Sequence, residues 1–343
     1  ASSVGVLGDL VPVTLADVAG AALDINGNNG SLGSLAGGGS TGGNVTLGAA
    51  GRLTTGYNNA STSFGGAITG GTAGVTTLTK IGAGTQTLTG ASTFVGDVLI
   101  GNFGGQSGGG LTLGTGGSLA DTVNIRNAGW NTTLGVNASD TVGAVTGSRN
   151  TTLALGTGAV LTSTYTNGTP TALAATADSA SANGRIVRNI DTSLVRVGDL
   201  ISGTGVTANS YIVQILDHDT VLVNQNPPAG PSLNFAPTVT ATNVLNSTLT
   251  GLGGFTKDGT GLLILTGNST HSGATTINNG TLQVGGVWNG QKFAIQDILS
   301  DSSQIVFASS GTQSLNFANS VTNLLSFERV GSIAGGAGAT SSI

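Results

Sequence analysis

The sequence predicts an all-β protein, a right-handed parallel β-helix (solenoid) with a small inserted β domain. Three observations carry that prediction. The chain repeats itself at a fixed spacing, its apolar runs are only about four residues long, and it is apolar without being charged. Only 7% of its 343 residues are charged while 38% are hydrophobic, and mean hydropathy is +0.25. Disordered chains pair low hydrophobicity with high charge, so this balance points to a folded chain.

Repetition is clearest between Leu78–Gly96 and Phe255–Gly273. Lys80, Gly82, Gly84, Leu88, Gly90 and Gly96 recur as Lys257, Gly259, Gly261, Leu265, Gly267 and Gly273, all at the 177-residue spacing that separates Lys80 from Lys257. Thr89, Ser92 and Thr93 recur as Thr266, Ser269 and Thr270 without a shift. A looser repeat links Leu32–Gly37 with Val142–Gly147, and a third copy begins at Val330. That last copy is cut off at Ile343, which suggests a piece of a longer protein or a processed product.

Thr85–Leu88, Leu262–Leu265, Ala274–Ile277 and Thr281–Val284 are β-branched or apolar runs bounded by Gly or Asn, and no stretch sustains a 3.6-residue period. Strands this short suit a coil in which each pairs with its equivalent one turn above and below. Stacking at about 4.8 Å predicts roughly 13–15 rungs and a rod on the order of 65 Å. Gly and Asn supply the left-handed corners.

Residues 178–240 differ. Eight of the 25 charged residues lie between Asp178 and Asp219, and runs such as Tyr211–Leu216 are longer. The segment reads as an inserted β domain between a first part of the β-helix, 1–177, and a second, 241–343.

Several function classes are set aside. There is no Cys, so disulfides and thiolate clusters are absent, and no cofactor is expected. A net charge of −5 argues against a nucleic-acid partner and gives no basic patch for a membrane surface. Val4–Leu23 is broken by Asp9 and Asp17, so no transmembrane segment is expected. The first residue is Ala, consistent with removal of an export signal.

Candidate sites are few. His218, within Asp217-His-Asp219, reads as a solvated turn against a metal-site alternative. His271 aligns with Phe94 and is expected in a half-buried aromatic slot. Trp130-Asn131 and Trp288-Asn289 share a dipeptide whose ring fills a core or stacks on sugar. Trp130, Trp288 and His218 are therefore the candidate ligand contacts. Gly-x-Ser-x-Gly at Gly38–Gly42 and Gly105–Gly109 lacks the strand-to-helix setting of a nucleophile elbow. Asp24–Gly30 has one carboxylate where a calcium loop needs several. No catalytic or metal residue is assigned.

The stretch Lys257–Leu282 resembles the autotransporter-associated β-strand repeat, common in passenger regions of bacterial autotransporters and in very large secreted proteins. Leu78–Gly96 is a second copy, and with the flanking Leu-Gly-Ser-Leu-Ala-Gly type segments the resemblance covers about two thirds of the chain. Val197–Val206 looks like a module sometimes inserted among such repeats. Phe94 and His271 stand where the family usually has Tyr, and Asp97 where a small residue is usual. The resemblance implies export, an extracellular or cell-surface location, and no catalytic residue.

The expected function is thus a non-enzymatic structural or adhesive rod, its partner a host or matrix surface, polysaccharide included. The alternatives are a filament or sheath subunit that stacks end to end on itself, and a polysaccharide-active β-helix enzyme. The enzyme would require acidic residues clustered on one face.

Overall fold

A computed structural model describes residues 8–101, 108–166, 243–288, 298–308, 311–317 and 329–335. It also describes 171–172, 177–179, 186–188, 199–202, 210–215, 221–223, 234–235, 238–240, 291–293 and 340–342. No helix occurs among these residues, so none is long and apolar enough to cross a membrane.

The chain winds as a parallel β-solenoid with three faces. The first face stacks eleven strands, from Asn29–Leu32 through Thr77–Lys80, Asn124–Asn127 and Leu262–Leu265 to Thr340–Ser342. The second stacks eight, from Pro12–Leu15 to Thr248–Gly251. The third comprises three strands from Ala22–Asp24 to Ile68–Thr69 and six from Asp140–Val142 to Ser332–Gly335. Single bridges, Gly71 to Val95 and Ala91 to Ser118, carry that face across the intervening coils.

Every pairing on these faces is parallel and in register. Leu53, Leu78, Val98, Ile125 and Val145 form one inward column on the first face. Leu111, Leu134, Leu153 and Leu249 form another on the second, and Leu161, Phe255, Thr275 and Ile305 a third. Alternation along each strand produces the columns: in Thr85–Leu88, Gln86 and Leu88 face in while Thr85 and Thr87 face out. The columns meet in one continuous apolar core.

Among the described residues the first face counts eleven stacked strands, a span of about 50 Å, against the 13–15 rungs and roughly 65 Å expected from chain length. Coils are longer than three bare strands require. They run from 19 residues (Leu262 to Thr281) to 33 (Gly280 to Gln313), the longer one detouring through an antiparallel hairpin of Gly286–Trp288 and Gln291–Phe293.

A larger detour lies between Gly147 and Leu245, which pair directly on the first face. On the other two faces Thr152 pairs with Thr248 and Val160 with Gly254. The strands between Thr171 and Thr240 form their own eight-stranded antiparallel sheet and share no pairing with the solenoid faces. Its outermost chain segments meet, Thr171 opposite Val239, so the chain leaves and re-enters at one place. Val187, Ile201, Ile212, Val221 and Val223 are buried.

Because each column residue is sandwiched between copies of itself, a cavity at one rung has little scope to collapse. Leu134→Ala is expected to cost about 2–5 kcal/mol, read as a lowered urea midpoint. An unchanged midpoint would contradict the inward placement of that column.

Candidate functional site

The repeated residues assemble a corner rather than a catalytic centre. Lys80 ends a first-face strand and Lys257 a third-face strand, and both side chains are buried. Lys80 Nζ donates to the carbonyls of Ile81 and Gly82, the latter at 3.2 Å. Lys257 Nζ donates to Asp258 O at 2.7 Å, Gly259 O at 2.7 Å and, on the next coil, Asn279 O at 3.0 Å. The turn after each strand aims its carbonyls inward, and the ammonium satisfies them. Burial lowers both ammonium groups to about 8, with Asp258 opposing the shift at Lys257. Both therefore stay protonated, and donating, at neutral pH.

The repeat glycines lie where backbones touch. Gly82 and Gly259 have φ of 74° and 73°, and a Cβ at either would collide with the carbonyl of Gly56 or Thr164 on the preceding coil. Gly90 and Gly267 abut the carbonyls of Gly65 and Ser247 in the same way. Leu88 and Leu265 close the unit from the core. Gly84, Gly96, Gly261 and Gly273 complete the corner series, Gly261 N donating to Tyr165 O at 3.2 Å.

The two copies are not superposed along the rod. The first runs from the first face (Thr77–Lys80) to the second (Thr85–Leu88), and the second copy from the third face (Gly254–Lys257) to the first (Leu262–Leu265). The unit is thus rotated by one face while its internal geometry is retained. The looser repeat behaves likewise: Leu32–Gly37 bends from first to second face, Val142–Gly147 from third to first.

His271 is fully buried, as is Phe94, its counterpart, so the half-buried slot expected for it is a core position. The next coil covers it: Nε2 lies 2.9 Å from Thr275 Oγ1 and 3.4 Å from Ser303 Oγ. Ser303 donates its proton to Gly273 O at 2.8 Å, and His271 Nδ1 has no partner among the described residues. A Ser–His nucleophile needs a free hydroxyl, an orienting group on the second nitrogen and access; this cluster offers none of these. Burial lowers the imidazole from 6.5 to about 4.

The remaining candidates are scattered. Trp130 stands 59% exposed on the corner between the first and second faces. Trp288 ends a hairpin strand, in a setting unlike that of Trp130. His218 lies outside the described residues, as do Asp217 and Asp219. Among the described residues no three His, Cys, Asp or Glu side chains gather as a metal site. Burial raises Asp140 to about 6, while the backbone N–H groups of Leu119 and Thr141 oppose the shift and neighbouring Asp121 adds to it.

Sequence reasoning missed Asn127, which occupies the Lys80 column through Ile100. Its Nδ2 donates to Thr152 O at 3.0 Å, and Thr132 Oγ1 donates to its Oδ1 at 2.6 Å. It closes a corner as the lysines do, and only register identifies it.

Lys257→Met leaves three carbonyls without their donor and is expected to destabilise by on the order of 3 kcal/mol, seen in urea unfolding. For His271 the folded state holds the neutral ring. Stability is therefore full above pH 6.5, falls as pH drops toward 4 and then levels, a loss of at most about 3 kcal/mol. His271→Phe should flatten that part of the acid profile; identical profiles for the two proteins would refute the assignment.

Residues 78–105 and 255–284 match the passenger-associated-transport-repeat family. A segment of 89 residues, 26% of the chain, is 45% identical to the adhesin BmaC autotransporter of Brucella suis biovar 1 (strain 1330). The chain spans 2% of the length of that relative. No solved structure matches the chain. The two segments built around Lys80 and Lys257, with their ammonium-closed corners and backbone-tight glycines, belong to the autotransporter passenger repeat family.

Proposed function

We propose that the chain forms part of a surface-displayed, adhesive autotransporter passenger, a non-enzymatic rod that works through non-covalent contacts. The observation that carries this reading is the repeat itself. Its distinctive residues are all engaged in closing corners and stacking coils, which leaves the outward Thr, Ser and Asn positions to meet a partner. The adhesin relative supports the same reading, and passenger repeats support a cell-surface or extracellular location. A polysaccharide-cleaving enzyme draws no comparable support. The described Asp121–Asp140 pair has its more buried member bonded to the backbone donors of Leu119 and Thr141.

The reading is tested in the producing bacterium. Antibodies against this chain should label intact cells, and an in-frame deletion of residues 8–343 should reduce adherence at least several-fold. Labelling only after permeabilisation, or unchanged adherence, would sink the proposal. Release of reducing ends from polysaccharide by the purified chain would replace it with the enzymatic alternative.

A further inference from the structure

The corner between the first and second faces carries, at two successive coils, a pair of exposed groups that neither the repeat nor the core uses. Trp130 projects from the corner that follows Asn124–Asn127, and Arg149 from the corner that follows Val145–Gly147. The Ile125–Val145 and Leu134–Leu153 pairings put the two corners one coil apart, about 5 Å along the rod.

Both corners are held from the backbone. Trp130 O accepts from Gly108 N at 2.8 Å and Asn131 N donates to Asn150 O at 3.0 Å. Thr151 Oγ1 donates to Ser148 O at 2.7 Å and closes the second turn. Asn131 and Asn150 take φ of 55° and 66°, which keeps each chain reversal tight and leaves the preceding side chain at its apex. The Cα positions that carry the indole and guanidinium are thus set by fixed backbone, which leaves side-chain rotamers as the ordering required on binding.

We propose that Trp130 and Arg149, with the amides of Asn131 and Asn150, form a binding edge for an acidic polysaccharide. One pyranose face stacks on the indole and a carboxylate on the same or the next sugar pairs with the guanidinium. The inference rests on the adhesive reading above and names its ligand class.

The surroundings decide between partner chemistries. Among the other exposed large apolar residues, Val75, Leu252 and Ile333 lie away from this corner. A protein or membrane partner would favour a contiguous apolar patch, whereas the exposed described neighbours of Trp130 at these two corners are Asn131, Arg149 and Asn150, a polar frame. A pyranose matches that frame, with C–H bonds for the ring face and hydroxyls for the amides. Arg149 favours carboxylate because its planar fork pairs with it bidentately. No acidic residue lies within 128–132 or 148–151 in a chain whose net charge is −5. Tyr57, also exposed on this corner, lies three coils from Trp130 with Asp9 beside it, so the acid-binding end is the Trp130 end. A single convex contact of this kind is weak, and useful affinity comes from many along a polymer.

Affinity electrophoresis of the purified chain in gels containing polygalacturonate or neutral dextran tests the proposal. Polygalacturonate should retard the wild type and Trp288→Phe equally, with retardation falling as salt rises. Trp130→Ala and Arg149→Gln should each weaken apparent affinity at least tenfold, with circular dichroism unchanged because both side chains are exposed. Equal retardation of wild type and Trp130→Ala, equal retention by dextran, or no retention by either polymer would overturn it. Such a failure alongside intact surface labelling and deletion-sensitive adherence would reject the ligand class alone; loss of those cell phenotypes would reject the adhesive reading itself.

Discussion

Backbone hydrogen bonding between equivalent strands holds successive coils about 4.8 Å apart, and every other feature of the molecule must fit that spacing. At the corners the chains approach closely enough that carbonyl meets α-carbon, so Gly82, Gly90, Gly259 and Gly267 have no space for a side chain. Inside, each residue rests on its equivalent above and below. The columns are therefore built mainly from Leu, Val, Ile and Phe. Lys80, Asn127 and Lys257 enter with partners drawn from the adjoining corners.

The same constraint explains how the insert is tolerated. A solenoid asks only that the chain return to the next rung in register, and Thr152 with Thr248 and Val160 with Gly254 meet that demand across the detour. The pairing of Thr171 with Val239 brings exit and entry together, so the ladder does not stretch to accommodate the extra sheet. The hairpin at Gly286–Phe293 is a smaller version of the same arrangement. Closure of a longer excursion adds entropy cost only logarithmically, which favours lengthening at a corner over lengthening within a strand.

Much of this was legible in the sequence, and what was not has identifiable causes. The fixed spacing of Lys, Gly and Leu announces a stacked repeat because those residues are bound to the corner by sterics and hydrogen bonding. Coil number was not legible, since coil length varies from 19 to 33 residues through its corners without disturbing register. His271 aligns with Phe94, which locates the slot but not its depth; the depth depends on the Ser300–Ser303 turn of the next coil lying over it. Trp130 and Trp288 share a dipeptide yet occupy a corner and a hairpin strand. There the informative signal was Asn289-Gly290 after Trp288, the pair most typical of a two-residue hairpin turn.

The rotation of the second repeat copy by one face has a consequence for how such a rod meets a surface. A unit defined by its own corner can be added wherever a coil of matching outline precedes it, whichever way that coil faces. Duplication of the unit therefore distributes its outward positions around the axis instead of aligning them in a single row. A fibre lengthened in this manner would present the repeat's outward positions on more than one side of its axis.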